Sequence, residues 1–186
     1  MNFTAIILAG GRSMRMGANK ALMAFHGKPL IQYSIDLALQ FTNRILIISN
    51  SHDLDSTGFP VIGDRFPIKA PLVGIHAGLE VSETPWNLVL TCDMPNVSKE
   101  LIELLIAGLP HADKLLVPTH DGFVEPLCGF YHRDLLPQII ANIGNGRLSP
   151  LDLITNTADR VISIGDLAGE NPATLFKNVN SSDDLG

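Results

Sequence analysis

Short apolar runs rich in β-branched residues alternate along this chain with longer stretches of helical periodicity. The runs are almost continuous in apolar character, as is typical of parallel strands that helices cover on both faces. The strand candidates are residues 4–9, 44–50, 60–64, 87–93 and 114–118, and the helix candidates are residues 29–42, 71–82, 98–109 and 133–143. Such alternation predicts an α/β fold in which right-handed crossovers build a doubly wound sheet.

The second half of the chain interrupts this regular pattern. His120-Asp121-Gly122 lies between two extended runs and predicts a hairpin turn, so the next strand, residues 123–131, is expected to be antiparallel to its predecessor. The sheet is therefore expected to be mixed but mostly parallel, as in Rossmann-like folds. With 186 residues, a mass of 20.1 kDa and no long linker, the chain is expected to form a single domain.

The charge balance and the cysteine count exclude several classes of protein. A formal net charge of −6 and a pI near 5.4 argue against a dedicated nucleic-acid binder, but a local cluster of cations and amides can still bind small phosphorylated ligands. Cys92 and Cys128 are too few for a disulfide framework, and the histidines lack zinc-ligand spacing. No apolar run approaches the roughly 20 residues of a membrane span. We therefore expect a cytoplasmic protein with no membrane partner.

A glycine-rich turn follows the first predicted strand. Its sequence, Leu8-Ala9-Gly10-Gly11, leads into Arg15 and Lys20. Glycine lets the backbone approach a ligand closely, so the amides of this turn suit phosphate oxygens, and the two cations suit a triphosphate. The spacing matches neither G-x4-G-K-[ST] nor G-x-G-x-x-G, which excludes a Walker A loop and a dinucleotide fingerprint. The alternative is a plain turn with solvated cations. The position of the turn directly after a strand of an α/β sheet argues against this alternative, because ligands bind at the carboxyl ends of such strands.

Two aspartates end predicted strands. Asp93 follows a buried run, and a carboxylate there suits Mg²⁺, which proteins commonly hold with one or two carboxylates plus substrate phosphates. The alternative is an aspartate that only initiates the turn before Pro95. Asp64 ends the preceding strand and could accept a hydrogen bond from a base or ribose, or merely cap a loop. Cys92 is expected to be a buried structural thiol and not a nucleophile.

Polar residues in the C-terminal part form a weaker pattern. Asn178 and Asn180 alternate, so on a strand they would project from one face and aim two amides at one site. The alternative is ordinary turn chemistry. Arg147, in the loop after the last predicted helix, could bind a second phosphate or be solvated.

Leu-Ala-Gly-Gly-x-Ser-x-Arg-Met-Gly-x-x-Lys at residues 8–20 resembles the signature of nucleotidyltransferases with the glycosyltransferase-A-like fold. Further stretches resemble the molybdenum cofactor guanylyltransferase (MobA-type) family within that superfamily. They are Gly27-Lys28-Pro29-Leu30, Pro71-Leu72-Val73-Gly74-Ile75, Cys92-Asp93-Met94-Pro95 and Asn178-Val179-Asn180-Ser181. The resemblance extends from residue 4 to the end of the chain, and the closing Asn-Val-Asn segment is what favours this family.

The resemblance implies a role for each candidate residue. Residues 1–97 would bind the nucleotide and residues 98–186 the acceptor, with Arg15, Lys20 and Asp93 catalytic and Mg²⁺ bound to Asp93. Asn50 is the candidate for the family's nucleotide-binding asparagine, although the run 45–50 permits an offset. The implied nucleotide-binding residues are Leu8, Ala9, Gly10, Gly11, Lys20, Asn50, Asp64 and Asp93, and the implied acceptor-binding residues are Arg147, Asn178 and Asn180.

The reaction implied is transfer of GMP from GTP to the terminal phosphate of molybdenum-molybdopterin, with release of pyrophosphate. The further partners implied are molybdopterin-inserting proteins and molybdoenzymes, and we expect a monomer or weak homo-oligomer. Three alternatives remain: cytidylyl transfer to the same pterin, nucleotidyl transfer to another phosphorylated acceptor, and a non-catalytic carrier of nucleotide or cofactor. The combination of Arg15, Lys20 and Asp93 counts against a non-catalytic carrier, because a protein that only binds a nucleotide does not need a metal ion on its α-phosphate.

Overall fold

The computed structural model describes residues 2–10, 19–154, 160–163 and 171–179. The strands in these ranges are β1 (Thr4–Leu8), β2 (Ala24–Phe25), β3 (Lys28–Pro29), β4 (Ile45–Ile48), β5 (Val61–Ile62), β6 (Trp86–Thr91), β7 (Leu115–His120), β8 (Phe123–Val124), β9 (Gly129–His132) and β10 (Arg160–Ser163). The helices are α1 (Leu30–Leu39), α2 (Pro71–Val81), α3 (Lys99–Gly108), α4 (Leu136–Gly144), α5 (Pro150–Ile154) and α6 (Pro172–Leu175). None of the helices described is long and apolar enough to cross a bilayer.

The main sheet has the strand order β10-β7-β9-β6-β1-β4-β5, with β8 paired to β7, while β2 and β3 form a separate hairpin. β1 pairs in parallel with both β4 and β6, whereas β9 is antiparallel to both β6 and β7. The predicted mostly parallel mixed sheet is thus confirmed. Because β1, β4, β5, β6 and β7 run in the same direction, their carboxyl ends meet at one border of the sheet, which we call the carboxyl edge.

Helices cover both faces of the sheet, as the continuous apolar strands predicted. Ile6 and Ile7 are neighbours in β1, and both are fully buried, but they point into different cores. The core around Ile7 includes residues of α1 and α3, and the core around Ile6 includes residues of α2 and α4. Helix α2 approaches β1 so closely that a Cβ atom at Gly78 would lie 2.6 Å from Cγ2 of Ile6. Glycine at this position therefore lets the helix pack directly on the strand.

The predicted hairpin turn is confirmed, and the single strand predicted after it is wrong. Asp121 and Gly122 have φ angles of 47° and 79°, the left-handed conformation that a tight two-residue hairpin turn requires at both central positions. The predicted strand 123–131 is instead divided into β8 and β9 by a turn at Glu125–Cys128, in which the Cys128 N–H donates to the Glu125 carbonyl. Pro126 has no N–H to donate to a ladder, which accounts for the break.

Candidate functional site

The glycine turn begins where β1 ends at the carboxyl edge. The Ala9 N–H donates to the Ile48 carbonyl at 2.9 Å, and the Leu8 carbonyl accepts from the Cys92 N–H at 3.2 Å, so the start of the turn is fixed between β4 and β6. Gly10 is exposed. Among described atoms, a Cβ added at Gly10 would meet only the Ile48 carbonyl, at an ordinary 3.8 Å. Packing in the described part of the chain therefore does not explain the glycine at this position. The close approach of a ligand to the backbone would explain it.

Lys20 and Asp93 meet at this edge. Lys20 Nζ lies 3.6 Å from Asp93 Oδ2, and the two side chains are 16% and 30% exposed. Lys20 opens a 3-10 turn, Lys20–Leu22, in which the Asn19 side chain accepts a hydrogen bond from the Ala21 N–H at 3.1 Å. This cap fixes the backbone that carries Lys20. The structure thus brings together a cation from the end of the glycine-rich segment and a carboxylate from the end of β6.

Thr91 and Ser34 support Asp93, and the sequence analysis did not identify either of them. The Thr91 hydroxyl donates to Asp93 Oδ1 at 2.7 Å, and the Ser34 hydroxyl of α1 donates to the Thr91 carbonyl at 3.1 Å. Both side chains are buried. The Thr91 hydroxyl limits the rotation of the carboxylate, and the Ser34 hydroxyl satisfies a backbone carbonyl at the end of the strand. Thr91 could have been identified from the sequence, because it is the polar residue that ends the apolar run of β6. Nothing in the sequence indicated a role for Ser34.

Asn50 and Asp64 form a second polar pair at the carboxyl edge, after β4 and β5. The Asn50 side-chain amide donates to Asp64 Oδ2 at 2.8 Å, and the Asp64 N–H donates to Asn50 Oδ1 at 2.9 Å. A Cβ at Gly63 would lie 3.0 Å from Asn50 Oδ1, so the glycine makes room for this pair. The two residues proposed to hold the nucleotide are therefore in direct contact, and each orients the other.

The C-terminal segment, Asn171–Val179, reaches the same site. The Val179 N–H donates to the Asp93 carbonyl at 2.9 Å, which places the adjacent, exposed Asn178 beside the Asp93 loop. Arg147 is exposed after α4, and its side chain makes no hydrogen bond or ion pair with any described residue. The contacts therefore connect Val179, the neighbour of Asn178, with Asp93 and do not connect Arg147 with it. Gly11, Arg15 and Asn180, which the sequence analysis also selected, lie outside the described residues.

Cys92 is buried, as expected, Cys128 is buried as well, and both are unpaired. Burial, with a further contribution from the charge of Asp93, raises the pKa of the Cys92 thiol to about 12. Burial and the charge of Glu125 raise the pKa of the Cys128 thiol to about 12 as well. Thiols of this kind remain protonated at neutral pH and are poor nucleophiles.

The side chains around Asp93 suit Mg²⁺, which needs few protein ligands, better than a metal ion that is coordinated entirely by protein side chains. Among the residues described, no three His, Cys, Asp or Glu side chains come close enough to share a metal ion. Within the described ranges the candidate ligand at this point is the Asp93 carboxylate, which accepts from Thr91 through Oδ1 and faces Lys20 through Oδ2. Mg²⁺ commonly takes one or two carboxylates and fills its remaining positions with water and substrate phosphates, a pattern that one carboxylate satisfies.

A glycine turn, a lysine and a carboxylate at the carboxyl edge of a mostly parallel sheet suit nucleotidyltransferases, in which charge and position do most of the chemistry. Comparison with known proteins agrees. The chain belongs to the family described as the MobA-like NTP transferase domain, which it matches over residues 5–159.

Relatives of similar length support the assignment to this family. A probable molybdenum cofactor guanylyltransferase from Flavobacterium johnsoniae is 34% identical over 182 residues, which cover 98% of this chain and 94% of that protein. A molybdenum cofactor guanylyltransferase from Vibrio atlanticus is 35% identical over 185 residues, with coverage of 97% and 92%.

Solved structures confirm the fold. Molybdopterin-guanine dinucleotide biosynthesis protein A from Archaeoglobus fulgidus superposes with a TM-score of 0.77 at 24% identity, covering 98% of this chain and 95% of that one. The 2-C-methyl-D-erythritol 4-phosphate cytidylyltransferase from Thermus thermophilus superposes with a TM-score of 0.70 at 16% identity, covering 99% and 96%. At these identities the likeness is one of fold.

Proposed function

We propose that this protein transfers GMP from GTP to the terminal phosphate of molybdenum-molybdopterin, forming the guanine dinucleotide cofactor and releasing pyrophosphate. The names of relatives about one-third identical over nearly the whole chain support the substrates. The single observation that carries the chemistry is the Lys20–Asp93 pair, 3.6 Å apart beside the Gly10 turn. It places a cation and a possible metal ligand where a triphosphate would meet backbone amides.

The reaction needs positioning and charge neutralisation more than it needs a base. An oxygen of the acceptor phosphate, already anionic at neutral pH, forms a bond to the α-phosphorus of GTP, and the bond from that phosphorus to the pyrophosphate oxygen breaks. No proton has to be removed from the nucleophile. The obstacles are repulsion between two anions and the charge that develops on pyrophosphate, so oriented cations and amides supply the catalysis.

Different residues at the carboxyl edge are proposed to bind the phosphates and the metal ion. Lys20 has three ammonium donors, which allow it to hold Asp93 and a phosphate oxygen together, and the Leu8–Gly10 backbone lines the turn beside it. Asp93 would hold Mg²⁺, which when bound supplies positive charge to the α-phosphate and the leaving group. From the sequence, Gly11 and Arg15 are further candidates for binding the phosphates.

The remaining assignments follow from position along the edge. Asn50 and Asp64, fixed against each other, are proposed to contact the ribose or base. Asn178, beside the Asp93 loop, is proposed to contact the acceptor together with Asn180 and Arg147. The acceptor would thus approach Asp93 from the side of the C-terminal segment, opposite the β4–β5 end of the sheet.

Nucleotide preference and metal requirement can be tested before any acceptor is prepared. Thermal unfolding is measured with GTP, CTP, ATP and UTP, each with and without Mg²⁺. A ligand at about 100 times its Kd adds about 2.7 kcal/mol, which raises Tm by roughly 5–10 °C for a chain of this size. We expect the largest shift with Mg-GTP. A larger shift with Mg-CTP would favour cytidylyl transfer, and equal shifts without Mg²⁺ would contradict the metal assignment.

Turnover provides the direct test. Pyrophosphate release is followed with GTP, Mg²⁺ and molybdenum-molybdopterin, with CTP as the matched comparison and omission of the pterin as the control. Release that requires both GTP and the pterin is the expected result. Tight binding of both substrates with no pyrophosphate release would contradict the proposal and favour a carrier.

A further inference from the structure

The C-terminal segment Asn171–Val179 is attached to the carboxyl edge at several separate points. The Asn96 side-chain amide donates to the Thr174 carbonyl at 3.2 Å, and the Val179 N–H donates to the Asp93 carbonyl at 2.9 Å. Phe176 is buried between these points, while Lys177 and Asn178 are exposed. The segment contains only the four-residue helix α6, which is too short to be stable by itself. Its position must therefore come from what it packs against.

Phe176 packs against His120, the last residue of β7. The two rings are stacked, with centroids 5.1 Å apart and planes inclined by 12°. His120 is only 11% exposed, and its Nε2 lies 3.0 Å from Oε1 of Glu125, which is 19% exposed. The Glu125 N–H in turn donates to the Pro118 carbonyl at 3.0 Å. The histidine ring is thus held by a carboxylate that the strand itself fixes, and it presents a flat face to Phe176.

The stacked pair lies close to the reaction site. Phe176 and Val179 are three residues apart, which limits their Cα separation to roughly 10 Å even in a fully extended chain. The His120–Phe176 stack and the Val179–Asp93 hydrogen bond are therefore the two fixed ends of one short stretch. Lys177 and Asn178 occupy that stretch and are exposed, and Asn178 directly precedes the residue whose N–H donates to the Asp93 carbonyl.

We propose that His120, Glu125 and Phe176 form a positioning cluster that sets the place of Lys177 and Asn178 for binding the phosphorylated acceptor. The inference rests on the proposed function, because it assigns these two exposed residues to the acceptor side of that reaction. The three residues of the cluster act through the C-terminal segment and touch no reacting atom. They are thus expected to change the affinity for the acceptor and to leave unaltered the affinity for GTP, whose proposed ribose or base contacts, Asn50 and Asp64, lie at the β4–β5 end of the edge.

The test compares Phe176→Ala and His120→Ala with two control variants of the full chain. Phe176→Tyr keeps the stacked ring. Phe123→Ala removes an aromatic ring that is also near His120, with centroids 6.3 Å apart, but that is 67% exposed and lies in β8, outside the segment. The KM for molybdenum-molybdopterin is measured by pyrophosphate release at saturating Mg-GTP, and the Kd for GTP is measured by titration.

We expect both alanine variants to raise the acceptor KM roughly tenfold with an unchanged GTP Kd, and Phe176→Tyr to restore it to within about twofold of the wild type. Phe123→Ala should behave as the wild type. An unchanged acceptor KM in Phe176→Ala, or an equal loss of GTP binding, would overturn the inference. An increase in KM with Phe123→Ala as large as that with His120→Ala would overturn it too, because the hairpin would then contact the acceptor directly.

Hydrogen exchange at the Val179 amide separates this inference from the proposed function. If the wild type releases no pyrophosphate, the proposed function fails, but the exchange experiment still decides whether the cluster holds the segment. Faster exchange at Val179 in His120→Ala and Phe176→Ala, and not in Phe123→Ala, is the expected result. Unchanged exchange in both variants would show that the cluster does not position the segment.

Discussion

Lys20 Nζ lies 3.6 Å from Asp93 Oδ2, so the lysine at the end of the glycine-rich stretch 8–20 is paired with an aspartate two residues beyond the end of β6. The pair connects the two parts of the sequence most suited to phosphate and to a metal. Both side chains are largely buried, so the cost of desolvating the two charges offsets much of their attraction, and such a pair is weak evidence for a role in stability. Its position at the carboxyl edge is therefore better explained by catalysis than by folding.

Asp93→Asn is expected to lower kcat by about 10²-fold to 10³-fold, because it removes the negative charge available to Mg²⁺ while keeping the size of the side chain. The Tm should change little, since the net contribution of a largely buried pair is small and asparagine keeps an oxygen that accepts from the Thr91 hydroxyl. Pyrophosphate release and thermal unfolding measure the two effects. Asp134→Asn is the matched control. Asp134 lies on the 3-10 turn Arg133–Leu135, which follows β9 at the edge of the sheet opposite the carboxyl edge. Full activity of Asp93→Asn at ordinary Mg²⁺ concentration would contradict the assignment.

Thr91→Val is expected to reduce kcat/KM by about tenfold to a hundredfold, because partners that orient a metal ligand usually matter by that factor. The substitution preserves the shape of the side chain and removes the 2.7 Å hydrogen bond to Asp93 Oδ1. Thr91→Ser, which keeps the hydroxyl, serves as the control. If valine and serine reduce the activity equally, the methyl group and not the hydroxyl supports the site.

Much of this arrangement could be predicted from sequence because the relevant signals are local. β1, β4 and β6 are short continuous apolar runs, and the rule that parallel strands share a carboxyl edge places Asn50, Asp64 and Asp93 on one side of the sheet. The rule does not give contacts. Neither the bidentate pairing of Asn50 with Asp64 nor the hydroxyl of Ser34 on the Thr91 carbonyl follows from spacing, because both join residues from separate elements.

The elements that the sequence analysis missed depend on tertiary partners. β10 was not predicted, and it exists as a strand through its parallel pairing with β7, far away in sequence. The two-residue strands β2 and β3 are too short for a periodic signal. The break between β8 and β9 had a local signal in Pro126, which the surrounding apolar residues outweighed.

Gly78→Ala is expected to destabilise the fold by about 1–3 kcal/mol, since the new Cβ would lie 2.6 Å from Ile6 Cγ2 and force α2 away from β1. Gly144→Ala, at the end of α4, is the matched control because no described atom lies within 4 Å of its new Cβ. Helix propensity alone makes that substitution neutral or stabilising by up to about 1 kcal/mol. Urea unfolding of both variants measures the difference. Equal midpoints would mean that α2 relaxes without cost.

The buried thiols predict a loss of stability at alkaline pH. The pKa values of Cys92 and Cys128 are raised from 9.0 to about 12 in the folded protein, first of all by burial. Burial also raises the pKa of Tyr131 from its ordinary value of 10.0. In the unfolded chain the thiols lose their protons near pH 9.0, whereas in the folded chain they keep them. Their contribution to stability is therefore complete below pH 9 and is lost as the pH rises toward about 12.

Urea unfolding at pH 8 and pH 10 measures this loss, and Cys128→Ala identifies its source. We expect the wild type to be less stable at pH 10, and the alanine variant, although less stable at pH 8 because of the cavity it creates, to lose less between the two values. Alkylation gives an independent check: iodoacetamide at pH 8 should leave both thiols of the folded protein unmodified and react with both after unfolding. The same pH-dependent loss in both proteins, or rapid alkylation of the folded chain, would contradict the burial of these thiols as protonated groups.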